Sequence, residues 1–214
     1  MEGGMPYYAV MLDMTDKHCL IVGAGAVSER KTQQLLNCGA KITVVSPTTT
    51  ERFEHWLESR QITIRRKRYS ADDLQAGMIV FACTNDKAVN SQICADAKQK
   101  GLWVNAADQF EQGDFIVPAQ VLRGKLHMAV STAGASPALT KRVAAEIQER
   151  YGIEYEAYTH LLHEFRETVL LQVTDAKRRQ KLLKKAAEDH RLLDWIRADR
   201  REEARKLCFS FLQD

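Results

Sequence analysis

A chain of 214 residues with 45% apolar side chains has material for one large domain and a smaller second one, which excludes a disordered or fibrous protein. With 31 basic and 28 acidic residues the net charge is only +3, so the overall balance gives no reason to expect a nucleic-acid partner. No apolar run reaches the ~18 residues of a membrane span, and the opening MEGGMPYYAV lacks the charged-then-apolar layout of a signal peptide, so the expected location is the cytoplasm, with no membrane partner.

The first predicted strand is the apolar run 18–22, and Gly23-Ala24-Gly25 follows where a buried strand turns into a helix. That is the phosphate-binding position of a dinucleotide fold. Gly23 can take the tight turn, and Gly25 lets backbone N–H groups approach a pyrophosphate with no Cβ in the way. The helix N-terminus adds about half a positive charge. A helix is expected over 26–38, with Val27, Leu35 and Leu36 apolar and Cys38-Gly39 closing it, and a β-branched strand over 41–45. Two features are incomplete. Ser28 occupies the third position of the glycine fingerprint, and no acid stands at the end of the second strand to meet a ribose 2′-hydroxyl. That strand ends in Ser46-Pro47-Thr48, so a ribose contact falls to a hydroxyl or to the backbone, with Glu51 a distant candidate. No arginine sits directly at the strand end, which leans toward NAD over NADP. A purely structural glycine turn is the alternative.

Strand and helix then alternate: 62–64, the buried run 78–84, a helix over 88–100 and a strand over 102–105. Such alternation predicts an α/β domain with a Rossmann-type parallel sheet. In open sheets of this kind ligands bind beyond the carboxyl ends of the strands. Three segments converge there: the Gly23–Val27 turn, the end at Thr84-Asn85-Asp86, and the end at Asn105-Ala106-Ala107-Asp108. Thr84 and Asn105 are therefore cofactor candidates, and Asp108 is the acid nearest the site. Asp108 reads equally as a catalytic group or as the cap of the next turn. Asp86 reads as a helix N-cap.

After Asp108 the rhythm changes. Strand-like segments over 115–121 and 125–131 meet at Arg123-Gly124, which predicts a hairpin, and Ser136-Pro137 opens a helix running to Tyr151. Thr132 and Ser136 lie in a small-residue loop able to hold a carboxylate or phosphate, with Lys141 and Arg142 one turn later, though the same loop suits a plain helix cap. Gly152 is the last glycine and Pro137 the last proline, so the remainder is expected to be helical. The predicted organisation is 1–114 as a nucleotide-binding domain, 115–150 as a hairpin-plus-helix segment, and 151–214 as a C-terminal all-helical domain.

Other features read more plainly. Five cysteines form an odd set with no C-x-x-C pair and are expected as reduced core thiols. His160, His163, Glu164 and Glu167 lie at helical spacing on a charged face, and no metal site is expected. The run Arg65-Arg66-Lys67-Arg68 and the lysines and arginines of 177–185 read as solvated faces, able together to attract a polyanion.

The ordered segments Cys19–Lys31, Gly39–Pro47, Ala82–Asn90, Val104–Asp108, Phe115–Pro118 and Ser131–Pro137 resemble the precorrin-2 dehydrogenases, found alone or as the N-terminal module of sirohaem synthase. The resemblance covers roughly residues 5–150, and the helical tail agrees in kind. It implies oxidation of precorrin-2 to sirohydrochlorin with hydride passing to NAD, and it places the family's essential aspartate on Asp108 as general base. It carries cofactor contacts onto Ala26, Val27, Pro47 and Thr48, and implies a homodimer formed through 115–150. In some members the same aspartate also serves ferrous-iron insertion, so a bifunctional dehydrogenase and ferrochelatase is one alternative. A nucleotide-sensing module without turnover is another. Ser28 stands where the family usually has Ala, and Thr132 where close relatives have Ser. Precorrin-2 carries eight carboxylates, which gives Lys141, Arg142 and the basic helix a role as substrate contacts.

Overall fold

The computed structural model describes residues 7–213, so the first six residues of the MEGGMPYYAV opening lie outside the described residues. The chain divides into two compact units, one ending at Val117 and the other beginning at Pro118.

The first unit runs β1 (His18–Val22), α1 (Ala26–Asn37), β2 (Lys41–Val45), α2 (Glu51–Glu58), β3 (Ile62–Arg65), β4 (Ile79–Ala82), α3 (Lys87–Gln99) and β5 (Val104–Ala106). Its sheet has the order β3-β2-β1-β4-β5 with every pair parallel, the predicted Rossmann-type arrangement. Helices on both faces explain the unbroken apolar runs. Cys19 and Ile21 enter one core layer with Phe53 and Trp56, while Leu20 and Val22 enter the other with Ile93 and Ala97. Each buried Leu, Ile or Val contributes roughly 1.5–3 kcal/mol. The strands wind outward from β1 to β3, and the chain then returns to the other side of β1 for β4 and β5. That reversal opens a crevice at the carboxyl ends of β1 and β4.

Two predicted strands are displaced. Residues 102–105 were expected as a strand, but the ladder to β4 starts at Val80↔Val104, and Trp103 stays exposed. Phe115–Pro118 does not form the start of a hairpin strand. Asp114 accepts from the Val104 N–H at 2.9 Å, Asn105 Nδ2 donates to the Phe115 carbonyl at 2.9 Å, and the Phe115 ring meets Phe81 edge-on at 5.7 Å. Hydrogen bonds to β5 and the packing of the partly buried Phe115 and Val117 against the first core claim this segment.

The run Arg65–Arg68 faces solvent as expected, with Arg66, Lys67 and Arg68 exposed, and three of its four cations are also ion-paired. The strand ends at Arg65, and Asp73, 1% exposed, accepts from Arg65 at 3.1 Å and Lys67 at 2.8 Å, while Arg66 pairs with Glu54 at 2.7 Å. A buried carboxylate needs compensating cations, and this run supplies them. Among the cysteines Cys19, Cys83, Cys94 and Cys208 are buried thiols as expected, but Cys38, at the end of α1, is exposed.

The second unit opens with the hairpin β6 (Ala119–Arg123) and β7 (Leu126–Val130), followed by α4 (Pro137–Arg150), α5 (Glu154–Gln172), α6 (Ala176–Glu188), α7 (His190–Arg197) and α8 (Arg201–Ser210). The two-residue turn starts at Gly124 with φ +57°, and a Cβ there would lie 2.9 Å from Thr159 Oγ1 and 3.0 Å from the Glu156 carbonyl. The turn thus packs directly onto α5. Leu161, Phe165 and Val169, one face of α5, meet Leu182, Leu192, Ala204 and Phe211 in a helical core. After Gly152, where neither glycine nor proline occurs, aspartates open two of the helices. Asp175 caps α6 through the Arg178 N–H and Asp189 caps α7 through the Arg191 N–H.

Candidate functional site: a dinucleotide cleft with a tethered carboxylate

A cleft of about 560 Å³ lies at the carboxyl ends of β1, β2 and β4. Gly23 and Gly25, Pro47 and Thr48, and Thr84 line it together, so five of the eight predicted cofactor residues converge. Each glycine has a different reason. Gly23 adopts φ +101°, donates to the Val45 carbonyl at 2.9 Å, and would place a Cβ 2.5 Å from the Cys83 carbonyl oxygen. Its lack of a side chain is a demand of the fold. Gly25 is the N-cap of α1 in extended conformation, and nothing lies within 4 Å of where its Cβ would be. Its lack of a side chain leaves a cradle facing the cleft.

No side chain caps α1, so the amide donors of its first turn stay available for an anion. Ala26 and Val27 begin that turn but are not among the cleft-lining residues. Ser28, fully buried, donates its hydroxyl to the Gly25 carbonyl at 2.7 Å, which satisfies the polar group that Ala would not have brought. Asn105 lies beneath the surface, 3% exposed, with its amide spent on the Phe115 carbonyl and its Oδ1 unpartnered.

Asp108 follows β5 and is exposed. Its partner is a residue the sequence did not single out as part of the site. Asn90 of α3, fully buried, accepts at Oδ1 from the Thr84 N–H (3.0 Å) and hydroxyl (2.7 Å). Its Nδ2 donates to the Thr84 carbonyl (3.0 Å) and to Asp108 Oδ1 (3.1 Å). All four of its hydrogen-bonding positions are used, so one amide fixes the cleft wall and the carboxylate together. A sequence signal existed: Asn90 occupies the buried stripe of α3 with Ile93, Cys94 and Ala97, where an apolar residue is the norm. Asp86 is the N-cap that was expected, accepting from Ala88 and Val89.

Two further groups stand near. Burial pushes the Cys83 thiol up to about 11, with Lys31 opposing the rise and Asp108 adding to it, so Cys83 is a neutral wall of the cleft and not a nucleophile. Lys31 of α1 places Nζ 5.7 Å from the Phe81 ring centroid, and burial pulls its ammonium below the ordinary lysine range. The helical unit carries a hollow of about 650 Å³ near Lys184, Glu188, Asp189 and Arg191, but its walls are ion-paired surface side chains. Among the described residues no cluster of metal-ligating side chains occurs.

Residues 10–119 match the "Putative NAD(P)-binding" family model. The chain is 35% identical over 190 residues to the precorrin-2 dehydrogenase of Priestia megaterium, spanning 89% of this chain and 94% of that one. The chain belongs to the precorrin-2 dehydrogenase family. The solved structure of SirC, precorrin-2 dehydrogenase, superposes with a TM-score of 0.77 at 32% identity, covering 95% of this chain and all of that one. Siroheme synthase of Nitrosococcus oceani is 29% identical over 200 residues, and there the chain spans 42% of the relative's length.

The residues present fit the NAD cofactor of a precorrin-2 dehydrogenase family member: an open glycine cradle, free helix-end donors, and hydroxyls in place of an acid at the end of β2. In the second unit, the 131–142 segment is built as a cap. Thr132 Oγ1 accepts from the Ser136 N–H at 3.0 Å and lies 3.1 Å from Thr140 Oγ1, and Ser136 Oγ accepts from the Leu139 N–H at 3.2 Å. Lys141 is exposed, and Arg142 pairs with Glu146 at 3.5 Å.

Proposed function

We propose that this chain oxidises precorrin-2 to sirohydrochlorin with NAD as the hydride acceptor, in sirohaem synthesis. The observation that carries the reading is the Asn90 amide, which ties Thr84 of a dinucleotide cleft to the carboxylate of Asp108. When bound in the cleft, NAD supplies an acceptor for hydride from one carbon of the macrocycle. The proton from the neighbouring carbon goes to Asp108, so a CH–CH unit becomes C=C with two hydrogens accounted for. Asn90 donates to Oδ1 and leaves Oδ2 for that proton. Gly23, Gly25 and the first turn of α1 hold the pyrophosphate, Ala26 and Val27 through their backbone, and Pro47 and Thr48 flank the adenosine ribose.

Substrate carboxylates are met by Lys141 and Arg142, both exposed on α4, with Thr132 and Ser136 shaping the preceding loop. The segment 115–150 is a dimerisation segment and 151–214 contributes to the tetrapyrrole site. The exposed Leu139 and a helix α4 that buries none of its residues within one chain support a homodimer. Five free cysteines suit a reducing compartment, the cytoplasm.

The test is an anaerobic assay of the purified chain with precorrin-2 and NAD, followed spectrally. NAD-dependent conversion is expected, and Asp108→Asn should lower turnover by about 100-fold or more while NADH still binds. Absence of conversion rejects the activity, and full turnover by Asp108→Asn rejects the base.

A further inference from the structure

The four basic residues that end β3 and follow it have unequal fates. Arg65 and Lys67 are held by Asp73, and Arg66 by Glu54. Arg68 alone of the four has no ion pair among the described residues, and it lines the cleft beside Pro47 and Thr48. Its neighbours anchor it. Lys67 is fixed 2.8 Å from Asp73, and Tyr69 donates its hydroxyl to Asp96 at 3.0 Å while its ring packs against the core. The side chain of Arg68 is thus carried on backbone that is held from both sides.

In a dinucleotide fold the ribose 2′ position lies at the end of the second strand. An acid there binds a 2′-hydroxyl, and a nearby arginine accommodates a 2′-phosphate. Here β3 lies alongside β2 with Val45 opposite Arg65, which brings the residues after Arg65 to that end. Ser46 donates its hydroxyl to the Thr48 carbonyl at 2.6 Å, and no carboxylate occurs in 46–48. The cleft-lining carboxylate is Asp86, which follows β4, is separated from β2 by β1, and is engaged in capping Ala88 and Val89. A dianion at the β2 end therefore meets a guanidinium and hydroxyls on the cleft wall, while the nearby acids Glu54 and Glu29 do not line the cleft and are engaged by the Thr49 and Thr50 hydroxyls.

We propose that Arg68 recognises the 2′-phosphate of NADP, so that this cleft takes both NADP and NAD. The inference rests on the dinucleotide reading of the cleft and adds a specificity-determining residue to it. Adenosine 2′,5′-bisphosphate and 5′-AMP differ only in the group at issue, and their competition against bound NADH, read by fluorescence on the whole chain, isolates it. The bisphosphate should compete about tenfold more effectively at low salt, with the advantage shrinking as salt rises. Arg68→Ala should erase that advantage, and Arg68→Glu should reverse it. Equal competition by the two nucleotides in the unaltered chain overturns the inference. Equal weakening of both by Arg68→Ala also overturns it, since the arginine then stacks on the adenine instead. Failure of NADH itself to bind sinks the dinucleotide reading, whereas NADH binding without 2′-phosphate preference sinks the role of Arg68 alone.

Discussion

Gly23 and Gly25 sit two positions apart in one motif and answer to different physics. A Cβ on Gly23 collides with the Cys83 backbone and the residue holds φ +101°, so its replacement is a folding defect. A Cβ on Gly25 meets nothing in the protein, and the residue lines the cleft in which the dinucleotide is proposed to bind. Gly25→Ala is therefore expected to leave the thermal midpoint unchanged while weakening NADH binding on the order of tenfold, about 1.4 kcal/mol. A parallel fall in melting temperature would assign Gly25 to the fold. Both glycines, and Asp108 as an acid at a strand end, were legible because strand, turn and helix follow one another in sequence. Asn90 was not assigned to the site, since its value depends on α3 placing one amide between Thr84 and a loop eighteen residues on.

Among elements, the segment after β3 shows what local pattern leaves out. Four consecutive cations read as a solvated face and three of them are exposed, but a buried acid five residues beyond them also organises the loop. Burial by itself would raise the Asp73 carboxyl, but hydrogen bonds from Lys67, the Ser70 N–H and Arg65 outweigh it and hold its pKa below 3.8. A carboxylate depressed in the folded state stabilises above its unfolded pKa, and that stability is lost as the pH falls through the folded value. Asp73→Asn is expected to cost about 2 kcal/mol at neutral pH in urea denaturation. This is less than a fully buried pair because both cations reach water. The difference between the two proteins should shrink below pH 3.8; a difference independent of pH would mean that packing, not charge, is what Asp73 supplies. In the helical unit the elements were legible from the absence of glycine and proline, but their boundaries were not. The starts of α6 and α7 are set by aspartate caps whose identity as breaks depends on which carboxylate finds a free N–H.

For the whole molecule, α4 is the informative element, a helix of 14 residues with none buried in a single chain. Under the proposed homodimer, light scattering should give twice the chain mass, and Leu139→Glu, at the exposed apolar position of α4, should shift it toward the monomer while leaving the first unit able to bind NADH. A monomer in the unaltered chain would remove the dimer. The sequence by itself determined the alternating α/β unit, the glycine turn, the hairpin at Arg123-Gly124 and the helical remainder, because each is written in local periodicity and turn chemistry. Only the tertiary structure decided that Phe115 and Val117 belong to the first core, that Asn90 joins Thr84 to Asp108, and that Arg68 alone of its run reaches the cleft. These depend on contacts between strands and helices distant in the chain, where burial and hydrogen-bond satisfaction outrank local pattern.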